Sequence, residues 1–204
     1  LVEYAGSGHN DPTSMVWLAL ALLLMDRNPM GSARPGSAAV VTKPVPLVAI
    51  PFLLARWPWR ARVLAIALIG TGLGWFWLAT RATYSGLTAY WGHWRNNELV
   101  FHYLDQALGG YAAARTVGML VVLGLIAWAL ARRRPAPGAT RAVVRGGMLV
   151  TPVLHPWYLG WELMFQPLQR SWIWLLGSLL VVLNYGVGMT PPEGRAFHLP
   201  LAWR

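Results

Sequence analysis

The chain has 204 residues, 56% of them hydrophobic and only 12% charged, with 13 Trp, 17 Lys and Arg against 7 acids, and a formal net charge of +10. That balance excludes an ordinary soluble domain and reads as a membrane protein. The arginines fall between apolar runs rather than on one basic face, which argues against a nucleic-acid partner, and the absence of cysteine excludes disulfides and thiolate chemistry.

The sequence opens at Leu1 without Met or a signal-peptide pattern. It is expected to be the later part of a longer protein, with 1–204 forming one integral-membrane domain. Apolar runs occupy 12–25, 38–55, 63–79, 116–131, 147–165 and 171–188, and Arg132 to Gly147 is the one clear linker. Several runs approach the roughly 20 residues that cross about 30 Å of hydrocarbon. The expected fold is all-α and polytopic, with about five or six membrane segments, some broken or re-entrant.

The first run is preceded by Gly8, His9, Asn10 and Asp11 and begins with Pro12. Asp11 suits a cap on the free backbone N–H groups, and Pro12 suits a first turn because it has no N–H to lose. Capping leaves His9 and Asn10 unexplained, with side chains that can face a ligand. The second run carries Lys43, the only lysine, with Pro44, Pro46 and Pro51, so its helix is expected to be kinked or broken. The third contains Gly70, Gly72 and Gly74. These read as tight helix packing rather than a phosphate loop, which needs a strand before it.

Orientation follows from the arginines. Arg132, Arg133, Arg134, Arg141 and Arg145 stand in one connection with no acid, which the positive-inside rule assigns to the cytoplasm. Thr80 to Arg115 is then outside and Arg56, Arg60 and Arg62 inside. Arg27 and Arg34 fit the rule if 38–55 is a broken hairpin that enters and leaves on the cytoplasmic side. Gly8 to Asp11 then emerges outside, and the irregular backbone implies a cavity. A complete crossing with a positive external loop is the alternative.

Two readings fit Lys43: snorkelling to the near interface, or a point-charge contact to a lipid phosphate. In the outer segment, Tyr90, Trp94, Asn97 and Phe101 share one helical face, and Trp91, Arg95, Glu98, His102 and Asp105 another. This suits an amphipathic helix on the membrane surface, a carbohydrate or headgroup platform, or both. Further on, Thr151 to Glu162 interrupts an apolar span with two prolines. A rise of about 1.5 Å per residue from Arg145 puts His155 near mid-bilayer and Glu162 toward the outside. His155 and Glu162 are either functional, or respectively bonded to a carbonyl freed by Pro156 and snorkelled outward. Glu3, His9 and Asp11 offer metal-ligand atoms but no helical ligand-pair signature, and no metal is expected.

Gly8-His9-Asn10-Asp11 before a short apolar helix, Thr42-Lys43-Pro44 leading to Leu47–Pro51, Tyr90 to Asn97, and His155-Pro156-Trp157-Tyr158 followed by Trp161 together resemble the later half of bacterial GT-C-fold glycosyltransferases. The likeness is greatest to the polyprenol-phosphate-dependent mannosyltransferase-like group. It covers nearly the whole chain in order and spacing, and the ordered set is more specific than any one motif.

The resemblance implies a GT-C-type enzyme of the bacterial plasma (inner) membrane. Such an enzyme moves mannose or another hexose from a polyprenyl-phosphate carrier to an extracytoplasmic glycan or glycolipid, with no cofactor. A carboxylate in the first external loop takes the acceptor's proton while cations stabilise the departing phosphate. That loop is expected upstream of Leu1, so no catalytic base is assigned. His9, Asn10 and Asp11 are expected to shape the sugar or acceptor pocket, Lys43 to lie near the carrier lipid, and His155, Trp157 and Tyr158 to line the cavity. Arg95 is a second phosphate candidate because its guanidinium binds phosphate oxygens in a bidentate fashion. Pro12 after Asp11, and Glu162 after the tryptophan-rich turn, depart from the pattern. Two other classes stay open: a transporter, which calls for repeat symmetry that is not visible here, and a non-catalytic scaffold, in which His9, Lys43 and His155 need not share a cavity.

Overall fold

A computed structural model describes residues 9–80 and 95–180. Small side chains organise its first half. Helices α1 (Asp11–Leu24) and α2 (Pro29–Thr42) form an antiparallel hairpin, each with proline in its first turn, where the missing N–H costs nothing. Asn28 caps α2, its Oδ1 accepting from the Gly31 N–H at 2.8 Å. Ser32, Ala33, Gly36, Ser37 and Ala39 are buried along α2, a small-residue stripe that lets helix backbones approach closely. The close approach is visible in the hydrogen bonds that cross it. Ser14 Oγ donates to the Ala39 carbonyl and Ser32 Oγ to that of Ala21, both at 2.7 Å. The indole of Trp57 donates to Ser32 Oγ at 3.0 Å.

The chain returns through a 3-10 turn (Val45–Ala49) and α3 (Ile50–Arg56), then α4 (Trp59–Thr80) runs back beside α2. Arg56 pairs with Asp26 at 2.8 Å, so the proline-rich arm ends where the α1–α2 turn lies. Residues 29–56 thus form a hairpin with Lys43 near its tip. The arms differ from the expected 38–55 run: Arg34 belongs to α2, not to a basic loop, and helix begins at Pro29 despite the weak hydropathy there. Of the three glycines in α4, only Gly72 is at a close approach, where an added Cβ would meet Val41. Gly70 and Gly74 face open space.

In the second half, α5 (Val100–Leu108) leads to an antiparallel pair, α6 (Tyr111–Ala131) and α7 (Ala136–Val150). Gly118 abuts the Val150 carbonyl. The expected linker from Arg132 to Gly147 is mostly helix, because Pro135 and Pro137 start α7 and the residues after them bury Ala139, Thr140, Arg141, Val143 and Val144. An extended stretch from Thr151 precedes a 3-10 turn (Pro156–Leu159) and the short α8 (Gly160–Leu163). Helix α9 (Trp172–Leu180) is the last described element, and the remainder of the 171–188 run lies outside the described residues.

The expected crossing at 147–165 is not a straight helix. Glu162 is fully buried and returns to the level of Arg141 and Arg145, whereas a continuous helix would carry it about 25 Å beyond Arg145. Both guanidinium groups, one turn apart on α7, reach the same Oε1: Arg141 at 2.6–2.8 Å and Arg145 through Nε at 2.8 Å and through Nη2. Gln166 donates to Oε2 at 2.7 Å. The two prolines turn the chain, and the paired charges satisfy a carboxylate that could not be buried alone.

The described residues are all-helical, with one isolated bridge between Asn96 and Val153. Two helices, Trp59–Ala79 and Tyr111–Ala131, are long and apolar enough to cross a membrane. Most of the large apolar side chains on both remain exposed, among them Trp75, Phe76, Leu120 and Leu123, as a lipid-facing surface requires.

Replacing Glu162 by Gln leaves two arginines without their shared anion and is expected to cost about 3–5 kcal/mol. Thermal unfolding of the purified protein in detergent checks this, and the triple change Glu162→Leu, Arg141→Met and Arg145→Leu is expected to recover most of the loss.

Candidate functional site

Asp11 is the first residue of α1 and is 0% exposed. Its side chain makes no cap; the N-cap position belongs to Asn10, which is exposed and makes no side-chain capping bond either. The carboxylate instead binds across the fold. Oδ2 accepts from Lys43 Nζ in a short ion pair, and Oδ1 accepts from the Trp161 indole N–H at 2.7 Å. The expected cap is overridden because a buried carboxylate needs strong donors. Lys43 ends α2 in an extended conformation, its own N–H donating to the Ala39 carbonyl at 3.0 Å. The ammonium also sits 5.5 Å from the centre of the Tyr158 ring, a cation–π arrangement. Lys43 is therefore neither snorkelled nor an uncommitted phosphate contact: a carboxylate already holds its charge.

Around this pair the aromatic rings stack. Trp157 lies between two imidazoles, His9 at 3.9 Å and 26° on one side and His155 at 4.3 Å and 13° on the other. Tyr158 meets both His155 and Trp157 edge-on. Pro156 makes this possible, because the residue before a proline is driven to extended backbone. His155 adopts φ −77°, ψ 153° before the chain tightens into the 3-10 turn.

His155 is oriented by Asn96, whose side-chain N–H donates to Nδ1 at 2.8 Å. This leaves the ring proton on Nε2. Asn96 is itself fixed by its backbone, accepting from the Leu154 N–H at 2.7 Å and donating to the Pro152 carbonyl at 2.9 Å. Asn97 donates to the Leu154 carbonyl at 3.2 Å from a positive φ of 48°, a conformation asparagine tolerates. Burial, with the nearby charges of His9 and Lys43, lowers the His155 pKa from its ordinary 6.5. His155 lies outside both membrane-length helices.

Arg95, expected as a phosphate contact, is engaged within its own segment. It is bound through Nε and Nη2 to Glu98 at 2.7 and 2.8 Å and through Nη1 to Asp105 at 2.5 Å. Two carboxylates outweigh one guanidinium, so the fork expected for phosphate is occupied. The helical faces expected over 90–105 also fail across 95–99: helix begins only at Val100, because Asn96 and Asn97 spend their hydrogen bonds on 152–155. Gly8, Glu3, Tyr90, Trp91 and Trp94 lie outside the described residues.

Of the expected site residues, the fold brings together His9, Asp11, Lys43, His155, Trp157 and Tyr158, while Asn10 is exposed beside Asp11 and Arg95 is bonded to Glu98 and Asp105. Trp161 and Asn96 complete the cluster and are not among the site residues expected from the sequence. The signal for Asn96 was its polar neighbourhood, and nothing in sequence ties it to His155 across 59 positions. The chain matches no protein-family model, no curated protein and no solved structure.

Two measurements check the cluster. Lys43 is the only lysine, so amine-reactive labelling reads one side chain. Asp11→Asn releases a charge-assisted hydrogen bond of about 1.5–3 kcal/mol and is expected to speed labelling roughly tenfold or more. For His155, the lowered pKa means that the unfolded chain takes up a proton before the packed site does. Stability is then lost as pH falls through 6.5 toward the lower folded value. A pH series of melting temperatures is expected to fall more steeply over that window for the wild type than for His155→Gln.

Proposed function

We propose that the protein is a GT-C-type membrane glycosyltransferase, with about five or six membrane segments in all. It moves mannose or another hexose from a polyprenyl-phosphate carrier to a glycan or glycolipid acceptor outside the cytoplasm. The observation that carries this reading is the convergence of His9, Lys43 and His155 on the rings of Trp157 and Tyr158. A scaffold has no need to gather these side chains from three distant segments at one end of its helices.

The chemistry of the cluster suits a sugar phosphate. The partly exposed edges of the ring stack offer apolar contact to the C–H groups of a pyranose, and the partly exposed Lys43 ammonium is a donor for hydroxyl or phosphate oxygens. Lys43, paired with Asp11, serves as a hydrogen-bond donor to the oxygen that leaves rather than as a net cation. Asp11, buried and doubly bonded, positions Lys43; the catalytic base is not assigned to it.

Charge distribution supports the orientation. Arg27, Arg56, Arg60 and Arg132–Arg134 are exposed and belong to the helix ends opposite the cluster. By the positive-inside rule that end faces the cytoplasm of a bacterial inner membrane, and the cluster faces out.

The test is sugar transfer from a defined polyprenyl-phosphate hexose by the full-length protein in proteoliposomes. His9→Ala and His155→Ala are expected to lower kcat/KM by about 10- to 100-fold, the loss of about 1.4–2.7 kcal/mol of transition-state binding. Equal transfer by wild type and both variants would remove these residues from the site. No transfer from any such donor would remove the enzyme reading.

A further inference from the structure

The charges around Glu162 do not balance. Two guanidinium groups, Arg141 and Arg145, meet one carboxylate, and no second acid pairs with either of them among the described residues. The side chains of Glu162 and Arg141 are 0% and 4% exposed, so the cluster buries one surplus positive charge, which is costly away from water. Its donors are in surplus as well. Nε and Nη2 of both arginines crowd onto Glu162 Oε1, and Gln166 takes Oε2. Arg141 Nη2, buried, is left near Oε1 without an aligned hydrogen bond. Arg145 Nη1 has no acceptor among the described residues, and this side chain, 28% exposed, is where the cluster reaches the surface.

That opening has a polar rim and an apolar wall. Trp174 lies 5.5 Å from the Arg145 guanidinium, and Arg141 Nη1 donates to the Gln169 carbonyl, which draws the exposed Gln169 and Arg170 alongside. Helix α9 begins directly after them with Trp172, Ile173 and Leu176 exposed. Helical side chains lean toward the N-terminus of their helix, so both guanidinium groups are carried toward the Arg132–Arg134 end of α7. A guanidinium corner with surplus charge is the complement of a phosphate oxygen. We infer that this cluster binds a phosphate group, with one oxygen on Arg145 Nη1 and the Arg141 charge behind it. Glu162 holds the Nε–Nη2 edges and stays in place. The apolar start of α9 favours the headgroup of an anionic phospholipid as the source, and a free phosphate ion presents the same oxygens without using that wall. The inference rests on the charge count at Glu162 and not on glycosyl transfer.

The experiment reconstitutes the whole protein in nanodiscs of equal phosphatidylglycerol and phosphatidylcholine, extracts it in mild detergent and counts retained lipids by native mass spectrometry. The wild type is expected to retain one phosphatidylglycerol with about fivefold preference, the contribution of one basic residue at an anionic surface. Arg145→Gln is expected to lose the preference while its melting temperature holds, because Arg141 and Glu162 remain as a neutral pair. Arg145→Lys keeps the charge that Glu162 meets but has no Nη1 corner, and its preference is expected to fall by about half. Arg60→Gln removes an exposed arginine elsewhere and is expected to retain the lipid as the wild type does. A second arm adds excess inorganic phosphate, against chloride at matched ionic strength, to the lipid-free protein and to the lipid-bound one. Phosphatidylglycerol kept in phosphate assigns the site to the lipid headgroup. A rise in wild-type melting temperature with displacement of the lipid assigns it to free phosphate. Neither lipid preference nor a phosphate-dependent rise in the wild type, unchanged preference in the Arg145 variants, or an equal loss in Arg60→Gln overturns the site.

Discussion

A single buried carboxylate ties the first residue of α1 to the end of α2 and to α8. Asp11 accepts from Lys43 and from the Trp161 indole, partners 32 and 150 positions away. An ionised carboxylate removed from water without such partners would be far more costly than any helix-capping gain. The closure of the α1–α2 hairpin and the return of the chain after Pro156 are therefore coupled requirements. Neither segment can move away without exposing the other's polar groups to an apolar interior.

The neighbouring residue repeats the device with the charges reversed in number. Glu162 holds two arginines of α7, so Trp161 and Glu162 fasten the same short helix to α1 on one side and α7 on the other. The consequence for the fold is large. A stretch whose apolar composition suits a crossing becomes a turn that stays with α7, and the number of membrane-length helices among the described residues is two. The aromatic stack grows from the same turn, since Pro156 sets the direction in which His155 and Trp157 leave the backbone.

Strength of association and chemical opportunity meet at this end of the molecule. Lys43 has its charge held by Asp11 yet keeps about a quarter of its side chain exposed, and His155 is fixed by Asn96. Groups held this way lose little freedom when a ligand arrives, which is the advantage of a preorganised polar site. Arg95 illustrates the contrast: its three donor nitrogens are spent on two nearby carboxylates, so its charge serves the loop.

Much of the organisation was legible in local chemistry. Apolar runs located α1, α4 and α6, prolines marked where helices start or break, and the unusual polar residues His9, Asp11, Lys43 and His155 stood out against their surroundings. Those signals are local because burial and backbone hydrogen bonding act on neighbouring residues. What local pattern could not supply was the partner of each charge. Arg145 and Glu162 lie 17 positions apart, and a straight-helix estimate separates them widely, yet the prolines between them bend the chain until they touch. Likewise Asp11 reads as a cap until donors 32 and 150 positions away compete for it. The sequence by itself determined the apolar character, the helical class and the residue types available for chemistry, through composition and periodicity. Only the tertiary structure decided which of those residues face one another, because pairing of buried charges depends on how nonadjacent segments pack.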